Sequence, residues 1–251
     1  MGENMDKIIK TALGLFIVIL ILFVAVVAYT AYIDTTYRNS LTSTYQYTCT
    51  ISTDNVLSNV TLFLPVPANV NGNSPVVAQI SSRDVSGAPA DWNLTLFGTG
   101  KATLLQVSAP TIGQPAINGS TQPTTITLTV NASSPALIDT ASPVEYAAVF
   151  RPVQSIHAAA CPAGDSTSAT STPACYQYLT STYADYTAAS GATVTISASV
   201  TGTNSWTIFS PASNEYRNTI TMLTLHGGNH GWVTTLGWIE SGLGSYDVPS
   251  S

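Results

Sequence analysis

The stretch 192-ATVTISASV-200 sets an apolar residue against Thr or Ser at every step. Successive side chains of a β-strand point to opposite faces, so this pattern buries one face and wets the other. A helix, with its 3.6-residue period, would scatter the same residues around its circumference. The stretch 124-TTITLTVNA-132 repeats the pattern through Ile126, Leu128, Val130 and Ala132. Both imply antiparallel sheet with one core face and one Thr/Ser face.

Outward from these two, further β-branched runs follow at roughly 8–12-residue spacing, broken by Gly, Pro and Asn. They are YQYTCTIST (45–53), NVTLFLPVP (59–67), SPVVAQISS (74–82), WNLTLFG (92–98) and ATLLQVSA (102–109). VEYAAVFRPV (144–153), SWTIFS (205–210), NTITMLTLH (218–226) and GWVTTLGWIES (231–241) complete the series. The expected fold is mainly β, an antiparallel Ig-like β-sandwich over 44–248. One segment departs from the series: in YQYLTSTYADYTAAS, Tyr176, Leu179, Tyr183 and Tyr186 fall at helical spacing. That predicts a short helix near 175–188, with a division into two sub-lobes near 155–190 left open.

The N-terminus differs in kind. TALGLFIVILILFVAVVAYTAYI (11–33) carries no charge. About 20 apolar residues at ~1.5 Å each span a bilayer core. Lys7 and Lys10 precede the run, and Arg38 follows it beside Asp34. This bias predicts a signal-anchor, with 1–10 cytoplasmic, 11–33 in the membrane, 34–43 a stalk or a short extension of the helix, and the rest extracellular. Cleavage after Ala28, or the core helix of a pilin-like filament subunit, are the competing readings of the same run.

Only 8% of the residues are charged and the net charge is −6. Nucleic acid, which demands clustered Lys and Arg, is excluded as a partner. The expected partners are membrane lipid at the helix, and further copies or other envelope proteins at the domain.

Cys161 and Cys175 bracket the low-complexity loop PAGDSTSATSTPA. Outside the membrane such a pair reads as a disulfide, worth ~3 kcal/mol for a loop of about 15 residues. Cys49 lies on the core side of its strand and reads as a buried thiol. Four sequons offer Asn59, Asn93, Asn118 and Asn131 as N-glycosylation sites, though Ser and Thr are abundant enough to supply four by chance.

Catalytic signatures are scarce. Gly164-Asp165-Ser166 is superficially similar to the GDS block of SGNH hydrolases, but no histidine follows His230 to complete such a site. In 225-LHGGNHGWV-233, His226 and His230 flank a Gly/Asn hairpin turn. A three-residue loop would bring the imidazoles face to face, yet two ligands do not make a zinc site. The pair is a weak metal candidate, and no cofactor and no enzymatic activity are expected. Trp206, Trp232 and Trp238 are candidates for a sugar-stacking cluster at one end of the sandwich.

NVTLFLPVPANVNGNSPV (59–76), NSWTIFSPASNEYRNTI (204–220) and GWVTTLGWIESGLGSY (231–246) together resemble uncharacterised archaeal, methanogen-like, membrane-anchored surface proteins. The resemblance implies an archaeal envelope and a β-rich ectodomain, and brings no activity with it. Glu215 and Arg217 in its polar block are expected to form an ion pair at a turn. The resulting expectation is a membrane-anchored structural or adhesive surface protein. A pilin-like filament subunit is the first alternative, and a carbohydrate-binding or enzymatic domain the second.

Overall fold

The computed structural model describes residues 2–100, 102–114, 122–161 and 173–246. They fall into two compact units. The first joins the helix Gly2–Ser40 (α1) to the segment Trp206–Ala212. The second holds Thr42–Ser205 and Ser213–Tyr246.

Every residue of α1 from Ile9 to Tyr32 is exposed. The helix is therefore apolar on all sides, unlike the one-sided stripe of a helix lying on a core. Its hydropathy reaches 3.1, long and apolar enough to cross a membrane. Its last turn is held within the unit. The Tyr37 and Trp206 rings meet edge to face at 5.8 Å. The Ser40 hydroxyl donates to the Thr207 carbonyl at 2.9 Å and accepts from the Thr207 N–H at 3.0 Å. Of the two readings of 34–43, the helix extension holds: the chain stays helical to Ser40 and enters a strand at Thr42. An i,i+4 pair, Asp34 with Arg38 at 2.9 Å, supports that extra turn.

The second unit is a curled antiparallel sheet. Its strands are Thr42–Thr53 (β1), Leu57–Pro65 (β2), Asn93–Gly98 (β4), Thr103–Ile112 (β5) and Thr124–Ser133 (β6). Gln154–Ala159 (β8), Ala174–Thr187 (β9), Thr193–Thr207 (β10), Pro211–His226 (β11) and Asn229–Gly244 (β12) complete the ten. The order is β4-β5-β2-β9-β12-β11-β10-β1-β6, with β8 paired to β9 beside this path. Pro67–Ala68 (β3) and Val149–Phe150 (β7) form a separate two-stranded piece. A twisted sheet of ~10 strands curls on itself. Its inner face then closes on one core: Tyr47, Cys49 and Ile51 of β1, Leu62 and Leu64 of β2, and Tyr178 and Tyr186 of β9. The Tyr47 hydroxyl donates to the Pro65 carbonyl, and the Tyr47 and Phe150 rings meet edge to face at 6.1 Å. The fold is mainly β and sandwich-like, as the alternation predicts.

Hydroxyl pairs occupy the wet face. Thr50 meets Thr127 at 3.3 Å and Ser52 meets Thr125 at 3.0 Å across β1 and β6. Cross-strand Thr and Ser pairs do here what ion pairs do on more charged sheets.

Buried amides tie the connections down. Asn204 accepts from the Ser43 hydroxyl and the Ile138 N–H, and donates to the Ile138 carbonyl and to Asn214 Oδ1. Asn214 Oδ1 also accepts from the Thr140 hydroxyl at 2.8 Å. A buried amide with all its bonds made fixes one geometry rather than several.

Three sequence expectations are overturned. The segment expected as a helix near 175–188 is the strand β9, Ala174–Thr187: Tyr178, Thr180, Thr182, Ala184 and Tyr186 are buried in strict alternation. The helical spacing of Tyr176, Leu179, Tyr183 and Tyr186 is split by the strand's period of two, which turns Tyr183 outward and Tyr186 inward, and Thr and Tyr favour the pleated surface. β9 is central in the sheet, and among the described residues no lobe boundary falls near 155–190. Residues 74–82 form a helix, Pro75–Ser81 (α2), rather than a strand. The Ser74 side chain caps it by accepting from the Val77 N–H, and Pro75 sits in its first turn, a start signal that outweighs the valines. VEYAAVFRPV likewise splits into a single turn, Pro143–Tyr146 (α3), and the short β7.

Candidate aromatic binding face

β2, β9 and β12 each alternate, so one side of each strand faces outward. Register aligns those sides. Trp232 of β12 stands opposite Tyr183 of β9, and Tyr183 opposite Phe63 of β2. Phe63 stands opposite Gln106 of β5, and Gln106 opposite Thr95 of the edge strand β4. Five strands thus present one straight rung, three of its members aromatic, and Phe97 adds a fourth ring two residues along β4.

The rings touch in series. Centroids lie 5.4 Å apart for Tyr183 and Trp232, 5.3 Å for Phe63 and Tyr183, and 5.1 Å for Phe63 and Phe97. Phe63 and Trp232 are near parallel, at 25° and 6.4 Å. These separations are those of favourable aromatic pairs. The outer members stay open to solvent, with Trp232 56% and Phe97 43% exposed.

The neighbouring rung is polar. It runs His230, Asp185, Thr61, Ser108 and Asn93 across the same five strands. His230 Nδ1 lies 2.6 Å from Asp185 Oδ1. The Tyr183 hydroxyl donates to Asp185 Oδ2 at 3.3 Å, and desolvation, with that carboxylate beside it, raises the phenol pKa. Thr95 donates to Gln106 Oε1 at 3.2 Å, and Gln106 Nε2 donates to the Ser108 hydroxyl at 3.3 Å. Aromatic and polar groups therefore run side by side, with His230, Asp185, Gln106 and Ser108 already oriented by neighbours.

The other expected site residues are dispersed. His226 ends β11 and is exposed, while His230 is engaged by Asp185. Among the described residues no three His, Cys, Asp or Glu side chains come together as metal ligands. Gly227 takes a left-handed backbone, as the turn reading of 225–233 requires. Cys161 and Cys175 are joined, and Cys49 is a free buried thiol. Burial pushes the Cys49 pKa up to about 12. Asn59, Asn93 and Asn131 are exposed, with Asn93 and Asn131 on the sheet's two edge strands. Asn118 and Gly164-Asp165-Ser166 lie outside the described residues. Glu215 and Arg217 pair at 2.7 Å, within β11 rather than at a turn.

The three tryptophans do not form a cluster. Trp206 is buried against Tyr37 in the first unit. Trp238 is half-buried, and its carbonyl accepts from Asn218. Trp232 instead belongs to the aromatic rung. Phe63, Phe97 and Asp185 were not recognisable as site residues, because only the pairing of strands distant in sequence brings them together with Tyr183 and Trp232. No family model, no curated protein and no solved structure matches this chain.

Proposed function

We propose that this chain is a single-pass, membrane-anchored surface protein. Its N-terminus is cytoplasmic, and its external β-domain adheres to other envelope components without catalysis. The observation that carries this reading is the exposed aromatic rung: a sheet face that leaves Trp232 and Phe97 in water is suited to contact. The uncharged run 11–33 of α1, Lys7 and Lys10 at its N-terminal side, and the disulfide beyond it support the anchor and its orientation.

The chain offers its own topology test. Lys101 is the single lysine after the apolar run 11–33, against Lys7 and Lys10 before it. A membrane-impermeant amine reagent on intact cells is expected to label Lys101 and spare Lys7 and Lys10; the reverse pattern sinks the orientation. Adhesion is tested with vesicles carrying the full chain, laid on a surface coated with isolated envelope. Retention is expected, and its loss in Trp232→Ala; vesicles that wash off with the protein folded sink the adhesive reading.

A filament subunit packed through α1 is the second reading. At ~1.5 Å per residue, the 39-residue helix is ~58 Å long, against a hydrocarbon core of ~30 Å. Electron microscopy of material sheared from cells, with its N-terminal sequence, separates the two. Filaments of a chain starting near Thr11 favour the subunit, and a membrane-retained chain starting near Met1 favours the anchor.

A further inference from the structure

Resting on the adhesive reading, we infer that the aromatic rung is a binding platform for a neutral polysaccharide, whose sugar rings stack on Trp232, Tyr183, Phe63 and Phe97. Three features select this ligand class. A pyranose ring has a flat C–H face and a rim of hydroxyls, and the platform answers both. Four rings with centroids 5.1–5.4 Å apart, the outer two exposed and the inner two half-buried, offer aromatic contacts in a line across the strands. Beside them, His230, Asp185, Gln106, Ser108 and Thr95 offer donors and acceptors already oriented by their own hydrogen bonds. Such preorganisation lowers the ordering cost of binding a polar rim.

The charge pattern points the same way. Neither rung contains Lys or Arg, and the one acid, Asp185, is hydrogen-bonded to His230 at 2.6 Å. A phosphate-bearing or otherwise anionic ligand meets no counter-charge there. The contact surface is aromatic rather than aliphatic, and it forms a straight ladder rather than a pocket. An extended chain of repeating flat units matches that shape better than a compact ligand, which pockets enclose.

Two sources share this chemistry: an envelope polysaccharide, and a glycan on Asn93, which ends the polar rung on the edge strand. The test therefore uses the full chain in nanodiscs, made in a host that adds no N-glycans. Neutral hexasaccharides of β-1,4-linked glucose, β-1,4-linked N-acetylglucosamine and α-linked mannose are titrated against it by tryptophan fluorescence and calorimetry. At least one is expected to bind, with affinity falling about tenfold or more in Trp232→Ala and in Phe97→Ala and partly retained in Trp232→Phe. Both alanine variants remove exposed rings, and circular dichroism checks that they stay folded. Binding only in unglycosylated or Asn93→Gln protein, and not in the native glycosylated chain, identifies the Asn93 glycan as occupant. Binding in both identifies an envelope polysaccharide. Binding insensitive to both alanine variants overturns the platform. If no saccharide binds while the vesicles still adhere to envelope or to one another, the saccharide inference falls and the adhesive reading stands. If both assays fail, both fall.

Discussion

Tyr178 and Gly237 stand directly opposite each other on β9 and β12, and the phenol ring lies over the glycine. A Cβ at position 237 would fall inside that ring, against its Cζ, Cε1 and Cε2 atoms. Gly202 and Tyr216 repeat the arrangement at β10, where an added Cβ would meet Cε1, Cδ1 and Cζ of the ring. Each glycine is thus a site where an aromatic side chain replaces a missing one and fills the core from the next strand.

Gly237→Ala is therefore expected to cost about 3 kcal/mol, the upper end for overpacking, because the obstacle is a buried ring with no room to turn. For a domain of this size that lowers the melting temperature by about 6–12 °C. Tyr178→Phe leaves the ring in place and does not relieve the clash, whereas Gly237→Ala with Tyr178→Ala exchanges it for a cavity. Thermal melts of the purified full chain, followed by circular dichroism, measure this. A Gly237→Ala melt within a degree of wild type would mean that the ring does not occupy that space.

Asn218 is the second fixed point. It is fully buried, its Oδ1 accepts from the Phe150 N–H at 2.8 Å, and its Nδ2 donates to Tyr178 Oη and to the Trp238 carbonyl. Asn218→Ala strands three buried polar groups and is expected to cost about 3 kcal/mol or more, against about 1 for Tyr178→Phe. The two changes share a hydrogen bond, so their sum should exceed the double variant by about 1 kcal/mol. Urea unfolding of the four proteins gives the coupling directly; strict additivity would rule the shared bond out.

The disulfide closes the junction between β8 and β9. Ala159 pairs with Cys175, and Cys161 reaches across to it 14 residues away in sequence. Removing the link, by reduction or as Cys161→Ser with Cys175→Ser, is expected to cost about 3 kcal/mol through the freed chain entropy of the unfolded state. β8 is exposed along nearly its whole length, so the loss should concentrate there. Hydrogen exchange is expected to accelerate in 154–159 before it does in β12. Uniform acceleration across the sheet would place the effect in global stability alone.

The sheet was legible wherever one face is wet. β1, β6 and β10 alternate so cleanly that Cys49, Leu128 and Ile196 could be placed in the core from sequence alone. Where local signals competed, the residues misled. The tyrosines of β9 fell at helical spacing although the strand sends Tyr183 and Tyr186 to opposite faces, and the valines of α2 concealed a Ser-Pro start. Of the aromatic rung, Trp232 stood out as a candidate for stacking sugars, but its alignment with the other rings was not legible. Phe63 and Tyr183 lie 120 residues apart in the chain, by difference of their numbers, and only the crossover that sets β2 beside β9 makes them neighbours. His230 had no visible acid partner for the same reason, since Asp185 reaches it across strands rather than along the chain.

The buried tyrosines and Cys49 make the domain sensitive to alkali. Burial favours the neutral form of each, so folded pKa values exceed unfolded ones: Cys49 rises to about 12 from an ordinary 9, and Tyr47 and Tyr216 are held well above 10. Between pH 9 and about 12 the unfolded chain loses the Cys49 proton while the folded chain keeps it. The folded state then binds more protons, so stability falls as pH rises, by ~1.4 kcal/mol per pH unit for each such group. Below pH 9 these groups are protonated in both states and contribute no slope. Unfolding midpoints in urea at stepped pH are expected to drop increasingly steeply above pH 9. Phenolate absorbance of the most buried tyrosines should rise only as the sheet unfolds. Cys49→Ala should remove the part of the slope that begins at pH 9 and leave the part that begins at pH 10. If Cys49→Ala and wild type show the same pH dependence, or if iodoacetamide alkylates the native thiol readily at pH 8, Cys49 is not held in the core as its burial requires.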